Sequence, residues 1–398
     1  MLQRTLKQIR RTCEGVPVTI AAAKKQEPLF KKYLGENFEL STEPCRRNTF
    51  PAIVLAAAYL HDVKDVDAEE AVVVCPVDPY VDDDFFAQFP LLAAQLATDA
   101  PLVLMGIEPT YPSEKYGYIK PEQKDGVWGF AFTEKPTKEK AEEYIAAGAL
   151  WNGGVFAYKL SYVLSKSQEL LGSSDYETLF NGYSELKKIS FDYAVVEQEN
   201  SLEVLRYSGT WKDLGTWNTL TEAMEESIIG DGRMNENCSN THIINELGIP
   251  ILAMGTKDMV ISASAEGILV SDKEQSSYIK PFVDAIDQQI MFAEKSWGSY
   301  RVLDVEEDSM TVKVTLNPGH HMNYHSHEKR DEVWTVVSGT GTTIVDGMEQ
   351  PVKPGDVVTM SAGCKHTVIA GENGLQLMEV QLGDAISVAD KKKYEWPL

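Results

Sequence analysis

Three near-continuous apolar runs constrain this chain more than any other feature of it. VPVTIAAA (Val16 to Ala23), AVVVCPVD (Ala71 to Asp78) and PLVLMGI (Pro101 to Ile107) are far shorter than the ~20 residues of a membrane helix. All three read as buried strands, and the β-branched AVVVCPVD as one covered on both faces. Helical stretches separate them. Leu2, Leu6 and Ile9 share one helix face, Thr49 to Leu60 is apolar and Ala-rich behind a cap at Asn48 or Thr49, and Ala93 to Leu96 sits in a further helix. Strands alternating with helices predict a mostly parallel α/β sheet with helices on both faces. Such a sheet needs a strand before each crossover helix, whereas this sequence opens on the helix. The expectation is therefore a sheet whose first strand, with the phosphate-holding loop that follows it, is missing.

The texture then changes twice. THIINELG, IPILAMG, DMVISASAEG and ILVSDK are short β-branched segments between turns, which predict a small β-rich linker module over residues 233–286. Beyond it, strands shorten and alternate, with turn signals at Asn317-Pro318-Gly319, Asp346-Gly347 and Pro354-Gly355. Residues 287–398 read as a separate all-β barrel, leaving residues 1–232 to the α/β domain.

Composition narrows the function. The 398 residues carry a net charge of −23 with no dense Lys/Arg block, which argues against nucleic acid and anionic membrane as partners. An anionic substrate needs local Lys, Arg or metal charge working against that field. Five scattered cysteines without a CxxC pair argue against a disulfide framework and fit a reducing, cytoplasmic setting. The basic start, MLQRTLKQIRRTCEG, lacks the apolar region of a secretory signal.

The barrel carries the densest chemistry. In GHHMNYHSH, His325 and His327 lie two apart, so on a strand both imidazoles face one way. Glu332 follows five residues on, Gly339 lies beyond it, and His366 stands in a second cluster with Gly355 and Gly363. Three His and one Glu suit Zn²⁺, Mn²⁺, Fe²⁺ or Ni²⁺ with positions left for water or substrate. The spacing GX5HXHX4EX6G resembles the first motif of the cupin superfamily. The second motif departs from the family at Ser361 and Ala370, where proline and asparagine are usual. His320 and His321 read as solvated turn residues, and His61 and His242 have no partner pattern.

In the α/β domain, candidate residues cluster where strands end. Asp78 follows a buried strand, and Asp213 sits in WKDLGTW; two carboxylates from distant segments could hold one divalent cation for phosphoryl or nucleotidyl transfer. Lys115 and Gly117 lie in PTYPSEKYGYI, Glu134 and Lys135 in FTEKP, and Asn152-Gly153-Gly154 in WNGGVFAY. Arg46 and Arg47 precede a helix N-terminus, an arrangement able to bind an anion. Each taken singly also has a structural explanation as a cap or a solvated turn.

In order, EPCRRNTFPAI, CPVDPYV, GIEPTYPSEKYGYI, FTEKP, WNGGVFAY, FDYAVVE and WKDLGTW resemble the mannose-1-phosphate guanylyltransferases, whose longer forms end in a cupin. The resemblance implies a Rossmann-like nucleotidyltransferase sheet and the Mg²⁺-dependent reaction of GTP with mannose 1-phosphate to give GDP-mannose and diphosphate. By the same resemblance Asp78 and Asp213 carry Mg²⁺, and Lys135 is catalytic and contacts the phosphate. Arg47, Asn48 and Thr49 lie on the nucleotide side, while Tyr116, Gly117, Glu134, Asn152 and Gly153 hold the sugar phosphate. The family's glycine-rich opening loop has no counterpart here, and Met1-Leu2-Gln3-Arg4 aligns with the helix after it. The barrel resembles a type II mannose-6-phosphate isomerase domain, with Tyr324 in place of glutamine and RDEVW only partly following RAEHW. Two alternatives remain: a metal-dependent isomerase acting through the barrel, and a non-catalytic sugar-phosphate-binding subunit. The sequence leaves a homo-oligomer open.

Overall fold

The computed structural model describes the chain except residues 36–37, 97–99, 125–126, 134, 200, 385, 388 and 396–398. Two compact units emerge, Met1–Gly215 and Thr216–Leu398.

In the first unit, the Leu2/Leu6/Ile9 stripe forms helix α1 (Leu2–Thr12), which buries Leu6 and Ile9 and ends on Arg10 and Arg11, cations suited to a helix C-terminus. Strands β1 (Thr19–Ala23) and β2 (Glu39–Glu43) pair in parallel, with α2 (Glu27–Leu34) between them in sequence. Helix α3 (Thr49–Asp62) starts where expected, the Asn48 side chain accepting a hydrogen bond from the Thr49 N–H. There follow β3 (Ala71–Val74), β4 (Pro79–Val81), β5 (Leu102–Ile107), β6 (Tyr118–Lys124), β7 (Val127–Thr133), β8 (Leu150–Lys159), β9 (Leu202–Tyr207) and β10 (Trp211–Asp213).

The main sheet runs β7-β6-β8-β5-β9 with β3 also on β8. Its ladders are not mostly parallel, as the alternation predicted. β5–β9 is parallel, but β8 runs against β3, β5 and β6. The reason is connectivity. The β6–β7 hairpin reverses the chain, and the helix Lys138–Ala146 then carries it across β6 to β8, which lies parallel to β7. Strands β3, β5 and β9 therefore share one direction, and β5 ends opposite the start of β8 at Trp151.

Strand β5 is buried along its whole length. Leu102 and Leu104 face α3, Phe156, Tyr158 and Phe191, whereas Val103, Met105 and Ile107 face Ile9, Phe85, Leu92 and Trp151. Alternate residues thus feed two cores. Strand β3 departs from its expectation: Ala71 is exposed and Val72 to Val74 are only half-buried. It pairs with β8 along one edge, and among the described residues its other edge carries no ladder.

In the second unit, β11 (Ile228–Ile229), β13 (His242–Asn245) and β15 (Met259–Ser264) form a parallel ladder closed by antiparallel β16 (Gly267–Asp272). β12 (Gly232–Met234) and β14 (Ile251–Ala253) form a second parallel pair. Successive coils of chain thus stack around a small core of Ile243, Ala253 and Ile261.

The remaining strands curl into one sheet: β17 (Phe292–Lys295), β18 (Gly298–Val305), β19 (Ser309–Leu316), β20 (His325–Ser326), β21 (Asp331–Val345), β22 (Met348–Val352), β23 (Val357–Met360), β24 (His366–Leu382) and β25 (Lys392–Lys393). The long β21–β24 ladder shifts register near Gly339. There φ is +78°, and a Cβ would sit 2.1 Å from the Gly374 carbonyl oxygen, so only glycine fits. Inward residues alternate along both strands. Trp334, Val336, Leu375 and Leu377 fill an apolar layer, and Glu332, Glu379, Gln381 and His366 form a polar one beside it.

Candidate functional site

At the sheet edge of the first unit, β4 and β10 pair antiparallel with Asp213 opposite Pro79. Asp78 and Asp213, far apart in sequence, therefore stand on adjoining strand ends. Asp213 accepts the Gly215 N–H through Oδ1 at 2.8 Å, and among the described residues no hydrogen bond reaches its second oxygen. Asp78 is exposed and has no hydrogen-bond partner among the described residues.

The other candidates join this edge through a continuous set of contacts. Trp211, two residues before Asp213, packs on Tyr116 with ring centroids 5.2 Å apart, and Tyr116 packs on Trp151 at 4.9 Å. The Asn152 N–H donates to the Gly117 carbonyl at 2.8 Å. Gly153 lies against β5, where a Cβ would stand 3.0 Å from the Ile107 side chain, and Gly154 faces Pro76 of the CPVD segment. The Asn152 side chain is largely engaged by protein. Its Oδ1 accepts the Gly154 N–H at 3.0 Å and its Nδ2 donates to Asp192 Oδ1 at 2.6 Å. The neighbouring Phe191 N–H donates to Thr49 Oγ1 at 2.8 Å, bringing the start of α3 to the same edge.

Arg47 donates from Nε to the Tyr183 carbonyl at 3.4 Å, and Asn48 holds a positive φ of 72° at the helix cap. Lys135, also at positive φ (44°), is exposed, and its N–H donates to the Tyr116 carbonyl at 3.3 Å. Glu134 lies outside the described residues. Sequence reasoning quoted FDYAVVE without a role for Asp192, and it missed the Tyr111, Trp151 and Trp211 rings. Aromatic residues near strands read by default as core.

In the barrel, His325, His327 and His366 each bring a ring nitrogen within 4.8 Å of the others. Each Nδ1 contacts a backbone carbonyl: Asn323 at 2.6 Å for His325, Cys364 at 3.0 Å for His366, and Asp390 for His327. A carbonyl only accepts, so every Nδ1 carries a proton, and each Nε2 is the ring nitrogen turned toward the cluster, as a metal requires. Burial pushes His325 down to about 2 and His327 down to about 4, which keeps both neutral. Burial pushes Glu332 up, but His366, His327 and Arg330 outweigh it and hold the carboxyl at about 2.

Glu332 Oε2 lies 3.2 Å from His366 Nε2, and neither atom has a hydrogen-bond partner. A buried imidazole nitrogen and a buried carboxylate oxygen at this distance need a cation between them, a proton or a metal ion. The donor set fits a divalent transition metal. Arg330 intrudes on it, donating to Glu332 Oε1 at 3.1 Å and to His327 Nε2 at 3.0 Å. Sequence reasoning did not place Arg330, Glu379 or Gln381 here. Glu332 sits opposite Gln381, and Trp334 opposite Glu379, so strand alternation from His366 was the available signal.

Comparisons with known proteins bear on both units. A family model described as nucleotidyl transferase matches residues 1–228, and one described as a cupin domain matches residues 312–380. The mannose-1-phosphate guanylyltransferase of Salmonella montevideo is 26% identical, over 98% of this chain and 92% of its own length. That of Escherichia coli strain K12 is 27% identical, over 91% of this chain and 82% of its own. A crystal structure from Thermus thermophilus, described as a mannose-1-phosphate geranyltransferase, superposes with a TM-score of 0.59 at 26% identity, covering 71% of this chain and 88% of that one. Among the described residues no helix is long and apolar enough to cross a membrane.

Proposed function

The chain belongs to the nucleotidyl transferase family, and from that premise we propose that it is a mannose-1-phosphate guanylyltransferase, which moves GMP from GTP to mannose 1-phosphate in the cytoplasm. The observation that carries the reading is the β4–β10 ladder, which pairs Asp213 with Pro79, the residue after Asp78, at the edge where Tyr116, Gly117, Asn152 and Gly153 converge. The guanylyltransferase names of relatives aligned over nearly the whole chain support the substrates.

The two carboxylates offer oxygen donors alone, which fits Mg²⁺ with water and phosphate completing its shell. Bound there, Mg²⁺ would neutralise charge on the reacting phosphates. The chain's own residues do the positioning. A phosphate oxygen of mannose 1-phosphate attacks the α-phosphorus of GTP, a new P–O bond forms, and the α–β bridging bond breaks to release diphosphate. Lys135 and Arg47 supply cationic charge to the two phosphate groups, against a chain of net −23. The Asn152–Gly153–Gly154 segment of β8 gives the sugar a close, glycine-lined wall, and Tyr116, backed by the buried Trp151, gives it an apolar face.

The test is diphosphate release by the 398-residue protein with GTP, mannose 1-phosphate and Mg²⁺. Asp213→Asn should lower turnover by about 10²- to 10³-fold while the circular dichroism spectrum stays unchanged. Absence of turnover in folded wild-type protein would overturn the assignment, as would an active Asp213→Asn enzyme.

A second reading concerns the barrel, where the three fixed histidine tautomers favour a bound Zn²⁺, Mn²⁺, Fe²⁺ or Ni²⁺. With such an ion the barrel would polarise a carbonyl or hydroxyl oxygen, as interconversion of mannose 6-phosphate and fructose 6-phosphate requires.

A further inference from the structure

We infer that Arg330 is a built-in competitor for the barrel's metal, its guanidinium and the divalent ion being alternative occupants of one lone pair on His327. The inference rests on reading the histidine cluster as a metal site.

The argument starts from His327. Its Nδ1 faces the Asp390 carbonyl and must carry the proton, so Nε2 has a single in-plane lone pair. Arg330 Nη2 lies 3.0 Å from that nitrogen. A guanidinium has donors only, so the lone pair is already in use. An sp² lone pair serves one N–H or one metal, never both.

The other two histidines differ. Among the described residues no donor is directed at His325 Nε2 or His366 Nε2, and the latter faces the open Glu332 Oε2. Arg330 thus blocks one ligand of an otherwise prepared set.

The arginine is also well anchored. It is 8% exposed, its Nε donates to Glu332 Oε1 at 3.1 Å, and its Nη1 donates to the Ser387 carbonyl at 3.0 Å. Without metal its charge answers the buried Glu332 carboxylate, which would otherwise stand uncompensated. With metal, a dication and a guanidinium would share the same few ångströms at low dielectric, and the repulsion favours expulsion of the side chain.

Loading therefore breaks the Arg330–His327 bond, draws the Nε–H off Glu332 Oε1 and strains the Arg330–Ser387 bond. Ser387 leads into Asp390, whose carboxylate accepts the Glu328 and Lys329 N–H groups at 3.0 Å each. The segment that would answer Arg330's departure is thus the one that also holds His327 in its tautomer.

The experiment has two arms, both with Zn²⁺. In wild-type protein, selective ¹⁵N labelling of arginine and histidine follows the Arg330 Nε–H and the His327 Nε2. With chelator present the Arg330 Nε–H should be protected from solvent exchange, and one equivalent of Zn²⁺ should abolish that protection as His327 Nε2 shifts. In the second arm, Arg330→Met keeps the aliphatic stem and removes the donors, and Zn²⁺ affinity is read by chelator competition. It should rise at least about tenfold, with an unchanged circular dichroism spectrum and a cooperative unfolding transition serving as the check on folding. Weaker or equal affinity in a folded Arg330→Met protein would overturn the competition while leaving the metal site standing. An Arg330 Nε–H still protected in the Zn²⁺-loaded wild type would do the same without any variant. Failure of both proteins to bind Zn²⁺ would overturn the metal reading itself and the inference with it.

Discussion

Glu379 offers the sharpest test of how the barrel interior is balanced. The residue is 8% exposed, and the Gln381 amide donates to its carboxyl. Burial, and secondarily the charge of Glu332, push its carboxyl from 4.5 up to about 7. A folded carboxyl that titrates above its unfolded value holds its proton longer in the native state. Between about 4.5 and about 7 the native chain therefore binds more protons than the unfolded one, and stability falls as pH rises through that window. The contribution is absent at the acid end and complete above about 7, where the gap corresponds to roughly 3 kcal/mol.

Glu379→Gln removes the titration and keeps an acceptor for the Gln381 amide. In chelator, the variant should match wild type near pH 4.5 and exceed it by roughly 3 kcal/mol at pH 8. Urea unfolding of the full chain, followed through β24 peptides by hydrogen-exchange mass spectrometry, isolates the barrel. An advantage that stays flat across pH, or that grows toward acid, would refute the reasoning, because neither can come from a carboxyl held protonated by burial.

Two further outcomes follow from packing and positioning. Gly339→Ala combines a positive φ with a Cβ 2.1 Å from the Gly374 oxygen, so the barrel should lose about 3 kcal/mol, read as a fall in the urea midpoint at unchanged slope; a loss below 1 kcal/mol would mean that the β21–β24 bend relaxes freely. Asp192→Ala frees the Asn152 amide from its 2.6 Å hydrogen bond and should raise KM for mannose 1-phosphate about tenfold with KM for GTP held within twofold; an equal rise in both constants would show that Asp192 supports the edge as a whole and does not act through Asn152.

Much of the architecture was legible because its signals are local. The apolar run of β5, the stripe of α1, the Asn48 cap of α3 and the shared face of His325 and His327 each need only a few residues of context. Gly339 was legible as part of a spacing, although its reason, a carbonyl from β24 where a Cβ would be, was not. Sheet polarity was missed because β8 resembles its neighbours in composition and differs only in the path that delivers it. Arg330 was missed because an arginine beside Asp331 reads as surface, and only the β20, β21 and Ser387 segments together bury it.

The pairing of Asp213 with Pro79, beside Asp78, shows what the missing quantity is. It depends on a ladder of three pairs between segments separated by most of the first unit. Side chains alternate across a strand, so a slip of one residue would carry Asp213 to the opposite face of the ladder. Three pairs cannot hold a register by themselves. What holds it is the packing of Trp211 on Tyr116 and, at 6.1 Å, on Trp151, so that the indole sets the carboxylate two residues later. The strand register at this edge thus leans on aromatic side chains, and neither motif spacing nor charge marks them in the sequence.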